Sequence, residues 1–191
     1  MSLSLASSMQ AVARLLDSCG PLAPLRLSLS ARDVQAEVCA DGHTAMNTLE
    51  RLAEVTGTDL AGTDYGASLT ADLGRDLVLV AGIAPAASTG PGGRATSTQA
   101  AADLLRTVAP WAAALDEELQ QTAELWVEDD GHTCTLRLLT TAGHDSCLEA
   151  VAAAAGKGLA RLRTWPSQSG VDGVGQLPCG ATVQIGVVSL A

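Results

Sequence analysis

Phenylalanine is absent from this chain of 191 residues, tyrosine occurs once and tryptophan three times. Any core must therefore be packed from Leu, Val and Ala, which bury less area each at roughly 25 cal/mol per Å². Lysine is nearly absent too, Lys157 being the only one, and no lysine or arginine stands between Arg106 and Arg137. That stretch holds Asp116, Glu117, Glu118, Glu124, Glu128, Asp129 and Asp130, within a chain of net charge −10. A phosphate backbone is bound by clustered Lys and Arg, so nucleic acid and anionic membrane are not expected partners. No apolar run is long enough for a membrane span, and the first residues, MSLSLASSMQAVARLL, carry Arg14 inside the segment rather than a basic region ahead of it. They read as an amphipathic helix, not a signal peptide. Cys19, Cys39, Cys134, Cys147 and Cys179 are odd in number and form no CxxC pair, the pattern of reduced, buried thiols. A cytoplasmic location is the expectation.

What is present is pattern. Leu5, Met9, Val12, Leu15 and Leu16 make one helical stripe that ends at GPLAP. LRLSLS then alternates, Leu25, Leu27 and Leu29 on one face, and Val34, Ala36 and Val38 alternate again after a turn, which predicts an antiparallel hairpin. Asp41 or Thr44 can cap a second helix carrying Ala45, Met46, Leu49, Leu52 and Ala53, with Gly57 as its stop. A second hairpin follows in GASLTADLGRDLVLVAGIA, turning at Gly74–Asp76.

After a Gly/Pro/Ser linker over 85–97 the plan returns. A helix carries Leu104, Leu105, Val108, Trp111, Leu115 and Leu119, and strands AELWVE and TCTLRLL meet at Asp130–Gly131. Leu125 and Val127 stand 100 residues after Leu25 and Leu27, and Cys134, Leu136 and Leu138 stand 100 after Val34, Ala36 and Val38. A helix through Leu148, Val151, Ala152 and Ala155 is expected next. Strands near Leu159–Trp165 and Thr182–Val188, separated by a Gly-rich loop over Ser167–Gly180, close the half. The fold class is α+β: two α-β-β-α-β-β halves, 1–84 and 98–191, with antiparallel sheets flanked by helices and the helix 98–121 available to both. The alternative is one complete domain followed by an unrelated extension.

Chemistry is sparse. DGHT occurs twice, at 41–44 and 130–133, and AGH occurs at 142–144; His43 and His144 both precede the second helix of a half. Packed about a two-fold axis, His43, His144, Asp41 and Asp145 would converge on a metal or substrate, but no His-x₃-His pair requires it, and polar turn residues near helix starts are the favoured account. TGPGGRAT lacks the Lys-Ser/Thr of a phosphate loop, and no GxSxG elbow is present. No catalytic residue, metal ligand or cofactor follows, and a non-enzymatic protein is expected.

LERLAEVTG, YGASLTADLGRDLVLVAGIAP and STQAAADLLRTVAPWAAALDEELQQ together resemble the central helix, strand, Gly turn, apolar strand and final amphipathic helix of class I type III secretion chaperones. The resemblance covers about two thirds of the chain; such chaperones usually end after that helix, and this chain continues. It implies a chaperone without chemistry of its own, holding the extended N-terminal segment of a secreted effector before export. It also implies a homodimer, or one chain that imitates it, with Met46, Leu49, Leu52 and Ala53 at the dimer or inter-half contact. Leu25, Leu27, Leu29, Val78 and Val80 are the candidate client patch, because strand 77–83 is apolar on both faces and extended segments are captured by strand addition and pocket filling. The competing classes are a small-molecule or metal site near His43 and His144, and a structural adaptor without a secretion role.

Overall fold

The computed structural model describes residues 4–63, 66–83, 98–114, 122–127, 133–140, 143, 145, 163–168, 170–176 and 182–189. Three helices, α1 (Leu5–Cys19), α2 (Gly42–Thr56) and α3 (Thr98–Ala114), accompany ten strands. These are β1 (Leu25–Ser30), β2 (Asp33–Val38), β3 (Ala61–Thr63), β4 (Gly66–Asp72), β5 (Val78–Ile83), β6 (Thr122–Val127), β7 (Thr133–Thr140), β8 (Arg163–Ser167), β9 (Gly170–Gln176) and β10 (Thr182–Ser189). The expected linker 85–97, the helix through Leu148–Ala155 and the helical residues 115–121 lie outside the described residues.

All ten strands join one sheet in the order β3-β4-β5-β2-β1-β6-β7-β10-β9-β8. Outward from the β1–β6 junction, which is itself antiparallel, the two sides run alike. An antiparallel hairpin comes first, β1·β2 or β6·β7, then a parallel step, β2·β5 or β7·β10, then two antiparallel steps. The sheet is thus mixed, not antiparallel as the hairpin signals imply, because the strand returning after the helix-containing connection lies beside β2 in the same direction, as crossover connections permit. Each side also carries three strands after its hairpin where two were expected. The first side adds β3, only three residues long. On the second, the stretch read as a Gly-rich loop contains β9.

The register repeats as well. Thr63 pairs with Gly66, and Ser167 with Gly170, a constant spacing (170 less 66, 167 less 63) of 104 residues. Both glycines open a seven-residue strand and both hold positive φ, 128° and 149°. Leu27 pairs with Ala36 and Leu125 with Leu136. If Leu136 answers to Ala36, Leu125 answers to Leu27 rather than to Leu25, a shift of two residues from the sequence alignment.

The helices cover one face. Leu25, Leu27, Leu29, Val34, Ala36 and Val38 turn inward under them, joined by Leu69, Ala71, Leu79 and Ala81 and, on the far side, by Val171, Ile185 and Val187. With no Phe to fill space, closeness comes from small residues: Ala6 and Ala13 on α1, Ala101, Ala102 and Ala109 on α3 are all buried, and these two helices pack together. Short side chains let helix axes approach. Thr98 at the start of α3 donates to the Gly20 carbonyl at 2.6 Å, and Arg106 pairs with Asp17 and, at 2.9 Å, with Asp103. The α2 helix is capped by Asp41, which accepts from the Thr44 N–H at 3.0 Å, and closed by Gly57 in the left-handed region. Its Arg51 donates through Nε to the Cys19 carbonyl at 2.9 Å, placing a cation at the negative end of α1. The buried Ser8 and Thr48 hydroxyls are matched: Ser8 donates to the Ala31 carbonyl at 3.0 Å, and Thr48 accepts from the Ala23 N–H at 3.1 Å.

Candidate functional site

Strand alternation sends every second residue to the face opposite the helices, and no described helix packs there. One ladder row on that face runs Thr70, Val80, Gln35, Ser28, Glu124, Arg137, Gly186, Asp172, Trp165 from one margin of the sheet to the other. Among the described residues Val80, Trp165 and Val174 are the large apolar side chains most open to solvent, at 46%, 47% and 37%.

At the β8–β9–β10–β7 end this face holds a groove of about 550 Å³, lined by Trp165, Asp172, Val174, Gln184, Gly186 and Arg137. Its floor exists because position 186 has no side chain. A Cβ there would stand 3.5 Å from Asp172 Oδ1 and 3.8 Å from Arg137 Cγ, so a carboxylate and an arginine stem flank an open gap. Trp165 extends the wall on β8, and Val174 and Gln184, paired with each other, line the next row. Arg137 and Asp172 are both held in the sheet by their backbones, but among the described residues neither side chain makes a hydrogen bond or ion pair. The equivalent positions of the first half are built differently: Gly82 again lacks a side chain, but Glu37 is engaged by Arg26 at 2.8 Å, and Ser68 and Ala61 replace the acid and the indole.

The sequence patch is not one patch. Leu25, Leu27 and Leu29 are 7%, 3% and 1% exposed beneath the helices, whereas Val78 and Val80 belong to the opposite face. The physical reason is the alternation itself: an apolar strand in register with β2 puts Leu79 and Ala81, not Val80, beside the buried leucines. Leu49, Leu52 and Ala53 are buried and Met46 half-buried in α2, which packs on β2, β4, β5 and α1 of its own half. What joins the halves is α1 against α3 and β1 against β6.

His43 is exposed in the first turn of α2, and Asp41 there is engaged as the helix cap, its carboxyl held below the usual range mainly by the Thr44 N–H. His144 lies outside the described residues, and with it the supposed histidine site; Asp145 is exposed. Among the described residues no three His, Cys, Asp or Glu side chains are placed to hold a metal, and no helix is long and apolar enough to cross a membrane. The groove went unread because Asp172 lies in GVDGVGQ, whose glycines resemble a loop. Trp165, a lone aromatic in RTWPS, was the available signal. No family model matches the sequence, and no curated protein matches it.

Proposed function

We propose that this chain is a non-catalytic, cytoplasmic binding protein of the secretion-chaperone kind, two copies in a single chain of one unit that comprises a helix, a β-hairpin and three further strands. It holds an extended segment of a secreted client, such as the N-terminal segment of a type III effector, against the helix-free face of its sheet. The observation that carries the reading is that face: a ten-strand surface with Val80, Val174 and Trp165 uncovered. Exposed apolar side chains set among Ser, Thr and Gln mark interaction surfaces more often than catalytic ones.

The mode of capture follows from the margins. Strand addition needs an edge with free N–H and C=O groups. Here one edge is β3, three residues long, and the other is β8, where Pro166 has no N–H and Arg163 adds charge. Both edges are protected, so the client lies across the face and fills pockets instead. The repeated strand order supports the single-chain counterpart of a homodimer, its junction at β1–β6 and α1–α3 in place of α2.

The test is affinity capture of the tagged full chain from its native host, followed by limited proteolysis and hydrogen exchange of the complex. The expected result is one secreted protein, retained stoichiometrically, whose early segment is protease-resistant. Val80→Glu on the open face should release it while leaving the melting temperature near that of the wild type. A client whose binding survives Val80→Glu and whose footprint falls on the helices would overturn the reading, as would a chain that retains only a small ligand.

A further inference from the structure

The open face is uniform in backbone but not in chemistry, and the groove at its β8 end is the place where unlike groups converge. Gly186 leaves a gap with the Asp172 carboxylate on one side and the Arg137 side chain on the other, and Trp165, 47% exposed, stands next to Asp172 on the same row. A carboxylate with no side-chain partner among the described residues, beside an uncovered indole, is a pair of attractors for one kind of group: a flat cation that stacks on the ring and hydrogen-bonds at its edge. Guanidinium fits both demands, since it is planar and presents paired N–H donors, whereas an ammonium is compact and more strongly hydrated.

We propose that this groove seats an arginine side chain of the client segment, its guanidinium on the Trp165 indole and paired with Asp172, with Arg137 and Gln184 donating to the client's backbone carbonyls. The assignment rests on the reading of the chain as a client-binding protein. Charge argues for this occupant over an acidic one, because a chain of net charge −10 draws basic segments toward itself. Arg137 does not oppose it: its stem flanks the same gap from β7, but among the described residues it forms no ion pair with Asp172, whose carboxylate is left to the bound cation. The first half offers no equivalent seat, because Glu37 is already paired with Arg26 and an alanine, Ala61, stands where the indole would be. One seat per chain, on one side of the sheet, fixes where along the face the client's arginine lies.

The experiment uses the isotope-labelled full chain and three acetylated, amidated peptides, Gly-Ser-Arg-Ser-Gly and its Lys and Glu counterparts, titrated while the Trp165 indole N–H and the backbone N–H groups of positions 172 and 174 are followed by NMR, the latter serving for the Trp165 variants. The Arg peptide should shift Trp165 and leave Trp111 unmoved, with the Lys peptide weaker and the Glu peptide without effect. Asp172→Asn should weaken the Arg peptide about tenfold or more, the loss of one charge-assisted pair, whereas Trp165→Phe keeps a ring and should lose less than Trp165→Ala. A Glu peptide that binds as well as the Arg peptide, or an Asp172→Asn chain that binds unchanged, overturns the assignment. The same variants in client capture separate the two levels. A client held equally by wild type and Asp172→Asn sinks the arginine seat and leaves the open-face reading standing. An Arg peptide held through Asp172 by a chain that captures no client leaves the seat and sinks the reading.

Discussion

Gly66 and Gly170 occupy matching places, and replacing each by alanine separates two physical costs. Both open a strand with φ in the range L-residues avoid, 128° and 149°. Alanine in either place is strained by about 1–3 kcal/mol, the usual range for sparsely populated backbone regions. Space then divides them. At position 66 the new methyl meets Ile83 Cδ1 at 3.5 Å, ordinary contact with the end of a flexible side chain. At position 170 it would overlap the Val187 carbonyl oxygen and stand 3.0 Å from the carbonyl carbon. That carbonyl belongs to β10, which is fixed by β9 on one side and β7 on the other, so it cannot turn away without breaking ladder bonds. Forcing extra volume into such a place costs about 1–3 kcal/mol more. Gly66→Ala should therefore lose about 1–3 kcal/mol and Gly170→Ala about 2–6 kcal/mol, read as the change in urea midpoint at unchanged slope. In amide exchange the second variant should also loosen β8, β9 and β10 before the first half opens. Equal losses for the two variants would refute the reasoning, since the β9–β10 ladder would then yield as readily as a side chain.

Other substitutions test the placement of residues whose roles were expected to differ. Leu49→Ala, at a position with no exposure, should lose about 3–5 kcal/mol in urea unfolding and leave the elution volume in size-exclusion chromatography unchanged; a change of assembly state with little loss of stability would return Leu49 to a dimer contact. Asp41→Ala should melt below the wild type at pH 7, through loss of the cap. The Asp41 pKa is lowered in the fold, so its contribution is present above the unfolded value of about 3.9 and fades as pH falls through the folded one. Melting curves of the two proteins should accordingly converge at the acid end, and a gap that persists below pH 2 would refute the assignment. Burial raises the Cys19 thiol pKa against a smaller lowering by Arg51, so Cys19 should resist a disulfide reagent at pH 8 in the native chain and react on unfolding, while half-buried Cys39 reacts sooner. Peptide mapping by mass spectrometry reads both.

The first half was legible because its signals are redundant. LRLSLS and DVQAEV alternate without interruption, Asp41 and Gly57 bracket α2, and Gly74–Asp76, where Arg75 and Asp76 both take positive φ, turns β4 into β5. What stayed hidden has physical causes. In β9 the inward positions are Val171, Gly173, opposite Ile185, and Gly175, so two of the three have no side chain to carry the alternation. A three-residue strand such as β3 is too short to show a period. The parallel steps leave no local mark, because direction is set by where the connection lands rather than by the residues of the strand. The expected client patch divides between two faces for a subtler reason: β5 is apolar on both faces, and only its partner β2 decides which face is the core.

Taken as two copies of one unit, the halves keep backbone constraints and release side chains. The positive-φ glycines at 66 and 170 persist, and so do Gly82 and Gly186, each beside the residue paired to it from the first hairpin. At that neighbouring position the charges are reversed: Glu37, facing Arg26 across the β1–β2 ladder, corresponds to Arg137, which stands opposite Glu124 across β6–β7. A true homodimer must carry every side chain twice, so a change that improves one side is repeated on the other. A single chain is free of that rule. It can leave one side closed by an Arg–Glu pair and open the other into a groove with Asp172 and Trp165 on its wall. Under the client-binding proposal, the asymmetry gives a bound segment one direction and one register on a face whose strand order would otherwise accept it in two.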